Sequence, residues 1–272
     1  MNLVIEKPYL PSQRYKRAVT YLLVFLLVVV GLCGYFGFDP RLFITDFHYL
    51  AELMGEMTPP NFEVLWRKEK VFSSILQTIS MAFLGTLIGG TLAMGLAFLA
   101  AGNTSPHPAV RAVVRTGLSI ERGIPNLVII LVFLIAVGLG PFAGMLSLVV
   151  GTVGVFGKLF ADAIEGTDGD PAEAVYAVGA TKWQVIQFGI IPQVLPSFIA
   201  NLFYAFDINL RAAIGLGVFG GAGIGYEIHM AMKLTRYQDG LALIFFTIVL
   251  ISLFEKVSDY LRRQAIGQDV LK

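Results

Sequence analysis

Four stretches of this chain, Ala18–Phe38, Val71–Val110, Gly123–Gly157 and Trp183–Phe206, contain no Asp, Glu, Lys or Arg for more than twenty residues. A helix needs roughly 20 apolar residues to cross a hydrocarbon core about 30 Å thick, so such runs suit a bilayer better than water. The remainder of the chain cannot dilute them. It is 56% hydrophobic and 14% charged over 272 residues, with 29 glycines besides, whereas soluble domains carry about 25% charge. A globule of this size lacks the interior to hide that much apolar surface. The chain reads as an all-α integral membrane protein. Its net charge of +1 excludes a nucleic-acid binder built on bulk electrostatics. A lone cysteine, Cys33, excludes an intrachain disulfide, and the scattered His48, His107 and His229 offer no metal centre.

The runs divide into about six crossings. Ala18–Phe38 follows the basic cluster Arg14, Lys16, Arg17 and exceeds a signal-peptide core, so it reads as a retained anchor. The run from Val71 gives a helix over 71–100, broken at Gly102-Asn103-Thr104-Ser105-Pro106. Gly138-Leu139-Gly140-Pro141 splits the next run into helices over 123–138 and 142–161. A fifth span rises after Pro192, and a sixth covers about 241–260. Six crossings put both termini on one side, and basic residues choose it. With both ends cytoplasmic, the inner segments hold thirteen of the twenty Lys and Arg, Lys7 and Lys272 among them. The outer segments hold Arg41, Arg67, Lys68, Lys70, Arg211, Lys233 and Arg236. Residues 1–70 are then an N-terminal segment, one span and an external excursion with an interfacial helix near Phe43–Met54. Residues 71–272 form the core, with a polar cytoplasmic insert at 162–192.

Two nucleotide-like motifs fail on context. Gly215-Leu-Gly-Val-Phe-Gly220 matches G-x-G-x-x-G but follows a membrane helix rather than a strand, so it reads as a Gly-rich turn. Gly151 to Leu159 resembles a P-loop, but Thr152 stands where its first Gly belongs and Leu159 where its Ser or Thr belongs. No hydrolase signature appears either. The chain reads as performing no covalent chemistry and binding no cofactor of its own.

In the insert, Asp170-Pro171-Ala172-Glu173 has the form of a helix start: Asp170 caps, Pro171 takes the first position and Glu173 the third. The helix runs to Val178, turns at Gly179-Ala180, and a second piece leads back to Pro192. Glu173-Ala174-Val175, Gly179 six residues after the Glu, and Pro192 thirteen after the Gly resemble the E-A-A…G…P loop of ABC-importer membrane subunits. Val175 replaces the usual second Ala, and Gly189 the usual Ile. The stretches 137–144, 189–196, 207–212 and 220–225 resemble the phosphonate-transporter permeases, a group that includes relatives for phosphite and hypophosphite. The resemblance implies a type I ABC-importer transmembrane fold in a bacterial inner membrane. It implies a coupling helix set on a cytoplasmic ATPase through Glu173, Ala174, Gly179, Ala180 and Pro192. It further implies two ATPase copies carrying ATP and magnesium, a second permease (a homodimer is the simplest completion) and an extracytoplasmic binding protein. The alternative is a secondary transporter of a small anion driven by an ion gradient, a class that often shows inverted repeats.

Ionisable residues in spans mark pathways or pin the bundle. Asp207 and Arg211, four apart, share a helix face, while Asn209 lies on another. They form either a structural ion pair or, through Arg211, a positive mouth for an anion. Glu121-Arg122, ahead of Pro125-Asn126, admits the same two readings. Gly85 and Gly89, spaced as G-x-x-x-G, suit helix packing.

Overall fold

The computed structural model describes residues 13–37, 45–67 and 69–266, and among the described residues it is predominantly helical, with no strand. Contacts divide the chain into two compact units, Met1–Glu56 and Met57–Lys272.

In the first unit, α1 (Gln13–Tyr35) is apolar all round from Val19 to Val30. Its 23 residues reach about 35 Å at 1.5 Å per residue, enough to cross a bilayer. Where the interfacial helix is expected, a helix forms as α2 (Phe47–Met57), amphipathic and shifted toward the C-terminus. Phe43 lies outside the described residues, as do Phe38 and the basic residues Lys7, Arg41, Lys68 and Lys272.

The second unit holds α3 (Glu69–Ala100), α4 (Pro108–Arg122), α5 (Asn126–Val137), α6 (Pro141–Glu165), α7 (Gly169–Ala177), α8 (Ile191–Leu216), α9 (Ile224–Lys233) and α10 (Tyr237–Ile266). Small residues let α3 and α6 close on each other. A Cβ on Gly85 would stand 2.7 Å from the Leu148 Cβ, and one on Gly89 2.7 Å from the Thr152 Cβ. In lipid, where no hydrophobic force drives helices together, such close approach is the main source of attraction. One apolar cluster (Ala93, Ala97, Phe156, Phe160, Ile186, Ile190) fills the end near the polar loop. Another, around Met81, Ile130, Leu148 and Leu210, fills the far half.

The third crossing departs from expectation. Instead of one helix over 123–138, α4 and α5 meet at a 92° bend. Pro125 has no N–H to continue the ladder and pushes Ile124 out of helical backbone, so the helix stops at Arg122 and restarts at Asn126. With 12 residues α5 is too short to cross alone. The bent pair nonetheless tracks α6 in antiparallel register. Arg115 bonds Asp162, Leu118 packs on Gly157, Glu121 lies over Gly154, and Asn126 meets Gly151 and Ser147. Among the described residues five helices are long and apolar enough to cross, and the bent pair, counted as one span, makes six.

The fifth span enters through a single turn (Lys182–Val185) and a π-helical turn (Ile186–Ile190). Pro192 cannot donate to the turn before it, and the chain widens there, with the Ile191 N–H reaching back to the Ile186 carbonyl. Beyond α8 the glycine-rich stretch forms a second π-helical turn (Gly217–Gly221), then reverses into α9. The Ile224 N–H there donates to the buried Thr78 hydroxyl at 2.9 Å.

Candidate functional site: the polar loop and the buried charges

Asp168 starts α7. Its carboxylate accepts the Asp170 N–H at 3.3 Å, and the first helical residue is Gly169. This corrects the expected start: Asp170 lies inside the first turn, Pro171 is the third helical residue, and Glu173 is too far along to close a capping box. Both aspartates can cap; Asp168 does so because the helix takes in Gly169 and Asp170 ahead of the proline. A proline is tolerated there because the first four N–H groups have no partner within the helix. Glu173 and Ala174 are exposed, and Glu173 has no hydrogen-bond or ion-pair partner among the described residues. Tyr176 and Val178 expose 68% and 84% of their surface, so α7 offers an apolar, uncovered face beside that carboxylate.

The inner face of α7 is clamped. The Asp168 N–H donates to Gln193 Oε1 at 3.0 Å, and Gln193 Nε2 donates to the Asp168 carbonyl at 3.1 Å and the Gly189 carbonyl at 2.7 Å. A Cβ on Gly189 would stand 2.9 Å from the Ala172 Cα. Ala172 therefore occupies the place an isoleucine side chain would need, which explains Gly189 at that position. After α7, Gly179 adopts φ +85°, with its N–H on the Tyr176 carbonyl at 3.0 Å. That left-handed backbone reverses the chain with little strain only for glycine. Nothing in the chain lies within 4 Å of where its Cβ would be. Ala180 is half-buried behind the turn, and Pro192 is the second residue of α8.

Two anchors escape sequence reasoning. Lys182 Nζ donates to the Ser105 carbonyl at 2.8 Å, tying the loop to the α3–α4 turn. At the same end Glu165 accepts from Arg111 and Arg115, each at 2.9 Å, and from the Gly102 N–H at 2.7 Å, while Arg115 also pairs with Asp162. The signal was present: Arg111 and Arg115 are four apart, and Asp162 and Glu165 three apart, giving matching helix faces of opposite sign.

The remaining candidates separate. Arg211 bonds Asp207 at 2.9 Å and Glu255 of α10 at 3.2 Å, so its charge is shared between two carboxylates. Asp207 is buried, and its Oδ1 lacks a hydrogen-bond partner among the described residues. Asn209, on the other face of α8, donates to the hydroxyls of Thr86 at 2.9 Å and Thr152 at 2.8 Å, knotting three helices together. The Glu121 carboxylate fills the space a side chain on Gly154 would take, and its Oε2 is buried without a partner among the described residues. Arg122 is exposed at the end of α4.

Residues 89–265 match the family model described as binding-protein-dependent transport system inner membrane component. The chain is 35% identical over 87% of its length to the phosphite transport system permease protein PtxC of Stutzerimonas stutzeri, covering 85% of that protein. It is 36% identical over 83% of its length to the phosphate-import permease protein PhnE of Mycolicibacterium smegmatis, covering 42% of that longer chain. A chain in the crystal structure of an amino acid ABC transporter with histidines superposes with TM-score 0.64 and 20% identity, over 76% of this chain and all of that one. The match over the whole span-and-loop region, with the helical architecture just described, assigns the molecule: it belongs to the binding-protein-dependent transport system inner membrane components, as a multi-pass permease subunit of an ABC importer.

Proposed function

We propose that this permease carries a phosphorus oxyanion (phosphite, hypophosphite or a phosphonate) inward across the membrane. The similarity to a phosphite permease over most of both chains carries that reading. Residues 71–272 are the permease core, and residues 1–70 contribute an anchor span. Both termini and the loop 162–192 face the cytoplasm, in keeping with the excess of Lys and Arg on that side. The uncovered face of α7, with Glu173, Ala174 and Tyr176, docks on a cytoplasmic ATPase. Gly179 shapes the turn beneath it, and Ala180 and Pro192 set the return of the chain. Two ATPase copies, holding ATP and magnesium, serve two copies of this chain, and an extracytoplasmic binding protein delivers the anion. ATP-driven closure of the ATPases displaces α7, and the clamp to Gln193 passes the motion to α8, alternating access. Asp207, Arg211 and Asn209 hold the bundle: Arg211 lies between two carboxylates and keeps no spare positive charge for a ligand.

The test is ATP hydrolysis by the permease reconstituted with its ATPase and binding protein. The ligands are methylphosphonate, 2-aminoethylphosphonate, phosphite, hypophosphite and phosphate. Selective stimulation by one of them is expected. A stable complex that none stimulates removes the phosphorus reading, and uptake that follows an ion gradient without ATP removes the importer mechanism.

A further inference from the structure

The bundle covers only part of α8. Ser197, Tyr204, Ile208, Arg211 and Gly215 are exposed and Asn201 is half-buried, and the six recur at alternating steps of four and three residues. That spacing sets them on one stripe along the helix, the seam that a second helix packed lengthwise would follow.

The stripe differs in chemistry from the other uncovered faces. The exposed residues in the middle of α3 are Phe83, Leu84, Leu87 and Ile88, and those of α10 over 241–250 are Phe245, Ile248 and Val249. Those faces suit hydrocarbon. The α8 stripe instead presents an amide, a phenol and a guanidinium. Asn201 Nδ2 donates to the Ser197 carbonyl at 2.8 Å, while Asn201 Oδ1 and the Tyr204 hydroxyl have no partner among the described residues. Asn201 is the eleventh residue of a 26-residue helix, about 15 Å from one end and about 22 Å from the other at 1.5 Å per residue. Polar groups at that depth are costly against lipid tails and cohesive against another helix.

The charges choose the partner. The Arg211 and Glu255 side chains are 45% and 51% exposed and lie 3.2 Å apart. A patch that presents both signs side by side is self-complementary: about a two-fold axis, Arg211 of each copy meets Glu255 of the other. The anchor span is a poor match, since Ala18–Phe38 carries no charged or amide side chain. We infer that the α8 stripe is the face through which this chain docks on a second copy of itself, with Asn201 bonding across the axis and Arg211 and Glu255 exchanging between copies. This rests on the importer reading above, which calls for two copies, and adds where they meet.

The test uses the permease with its ATPase and binding protein in proteoliposomes, carrying Ile208→Cys or Asn201→Cys in a Cys33→Ser background. Val249→Cys, on the hydrocarbon face of α10, is the control. Mild oxidation with copper phenanthroline is expected to join copies through the stripe thiols, at a fraction several-fold above the control. The reading is the cross-linked fraction of membrane-inserted chain, so neither variant has to transport, and Ile208→Cys removes no polar group. Two differently tagged copies of the unsubstituted chain are expected to co-purify. Co-purification with no cross-link at either position puts the contact on another face and overturns the inference. So does rapid labelling of both thiols by a water-soluble maleimide without cross-linking, which makes the stripe the wall of a water-filled path. Copies that fail to co-purify from a complex that still drives uptake remove the self-pairing and leave the importer reading. Cross-linking in a complex whose uptake is indifferent to ATP does the reverse.

Discussion

Gln193 and Asp168 are joined twice: one side-chain amide both accepts from and donates to the main chain of a single residue, at 3.0 and 3.1 Å. The start of α7 is thereby fastened to the first turn of α8, although 25 residues separate them in sequence. Because the link is made by a side chain, it can be cut without altering either helix.

Gln193→Ala is expected to leave the protein inserted and the complex formed, with stability lowered by roughly 1.5–4.5 kcal/mol for three lost hydrogen bonds, two to Asp168 and one to the Gly189 carbonyl. Uptake per ATP hydrolysed should fall more than hydrolysis itself, because α7 then moves without drawing α8 along. Parallel assays of the two rates on the same proteoliposomes check it. Equal loss of both would make the link merely structural.

At Gly179 the backbone, not the space around it, is restrictive. A branched side chain at φ +85° is strained by roughly 1–2 kcal/mol, while asparagine tolerates that region. Gly179→Val is expected to insert normally and lose most ATP-coupled uptake, and Gly179→Asn to keep more than half. Uptake assays on both variants, normalised to protein in the membrane, decide it. Equal failure of the two would place the effect at the docking surface instead of the turn.

The Asp207–Arg211–Glu255 network predicts a thermodynamic cycle. Arg211→Met strands a buried carboxylate and should lower stability by about 2–4 kcal/mol, below the full range for a sequestered pair because Arg211 is partly exposed. Asp207→Asn with Arg211→Met should recover most of that loss. Thermal unfolding of the purified subunit in detergent gives the three values. A double variant as unstable as the single one, with uptake abolished in both, would instead assign Arg211 to the path.

Much of the fold is legible in the sequence because its causes are local. Charge-free runs mark α1, α3 and α6, and turn residues such as Gly102 and Gly138 mark where they stop. The third crossing escapes such a reading because α4 carries Arg111, Arg115 and Arg122 and so fails a charge-free criterion, although its Arg face and the Asp162–Glu165 face are complementary. The cap of α7 shifts by two residues because Asp168 and Asp170 are equally able caps, and only the assembled helix chooses. Asp207 and Arg211 declare their pairing by spacing. Glu255 does not, since its approach depends on how α10 packs across α8. The same holds for Lys182 and Ser105, which are 77 positions apart.

The close seat of α3 on α6 has a mechanical consequence. With Gly89 against Thr152 and Gly85 against Leu148, neither helix can slide past the other without a side chain running into backbone. They move as one rigid plate. Freedom is left to the interruptions in the helical ladder: the bend at 123–125, the wide turn at 186–190 and the reversal at 217–223. A permease built this way is expected to change shape by swinging stiff pieces about these three interruptions, and the polar loop sits beside the second of them.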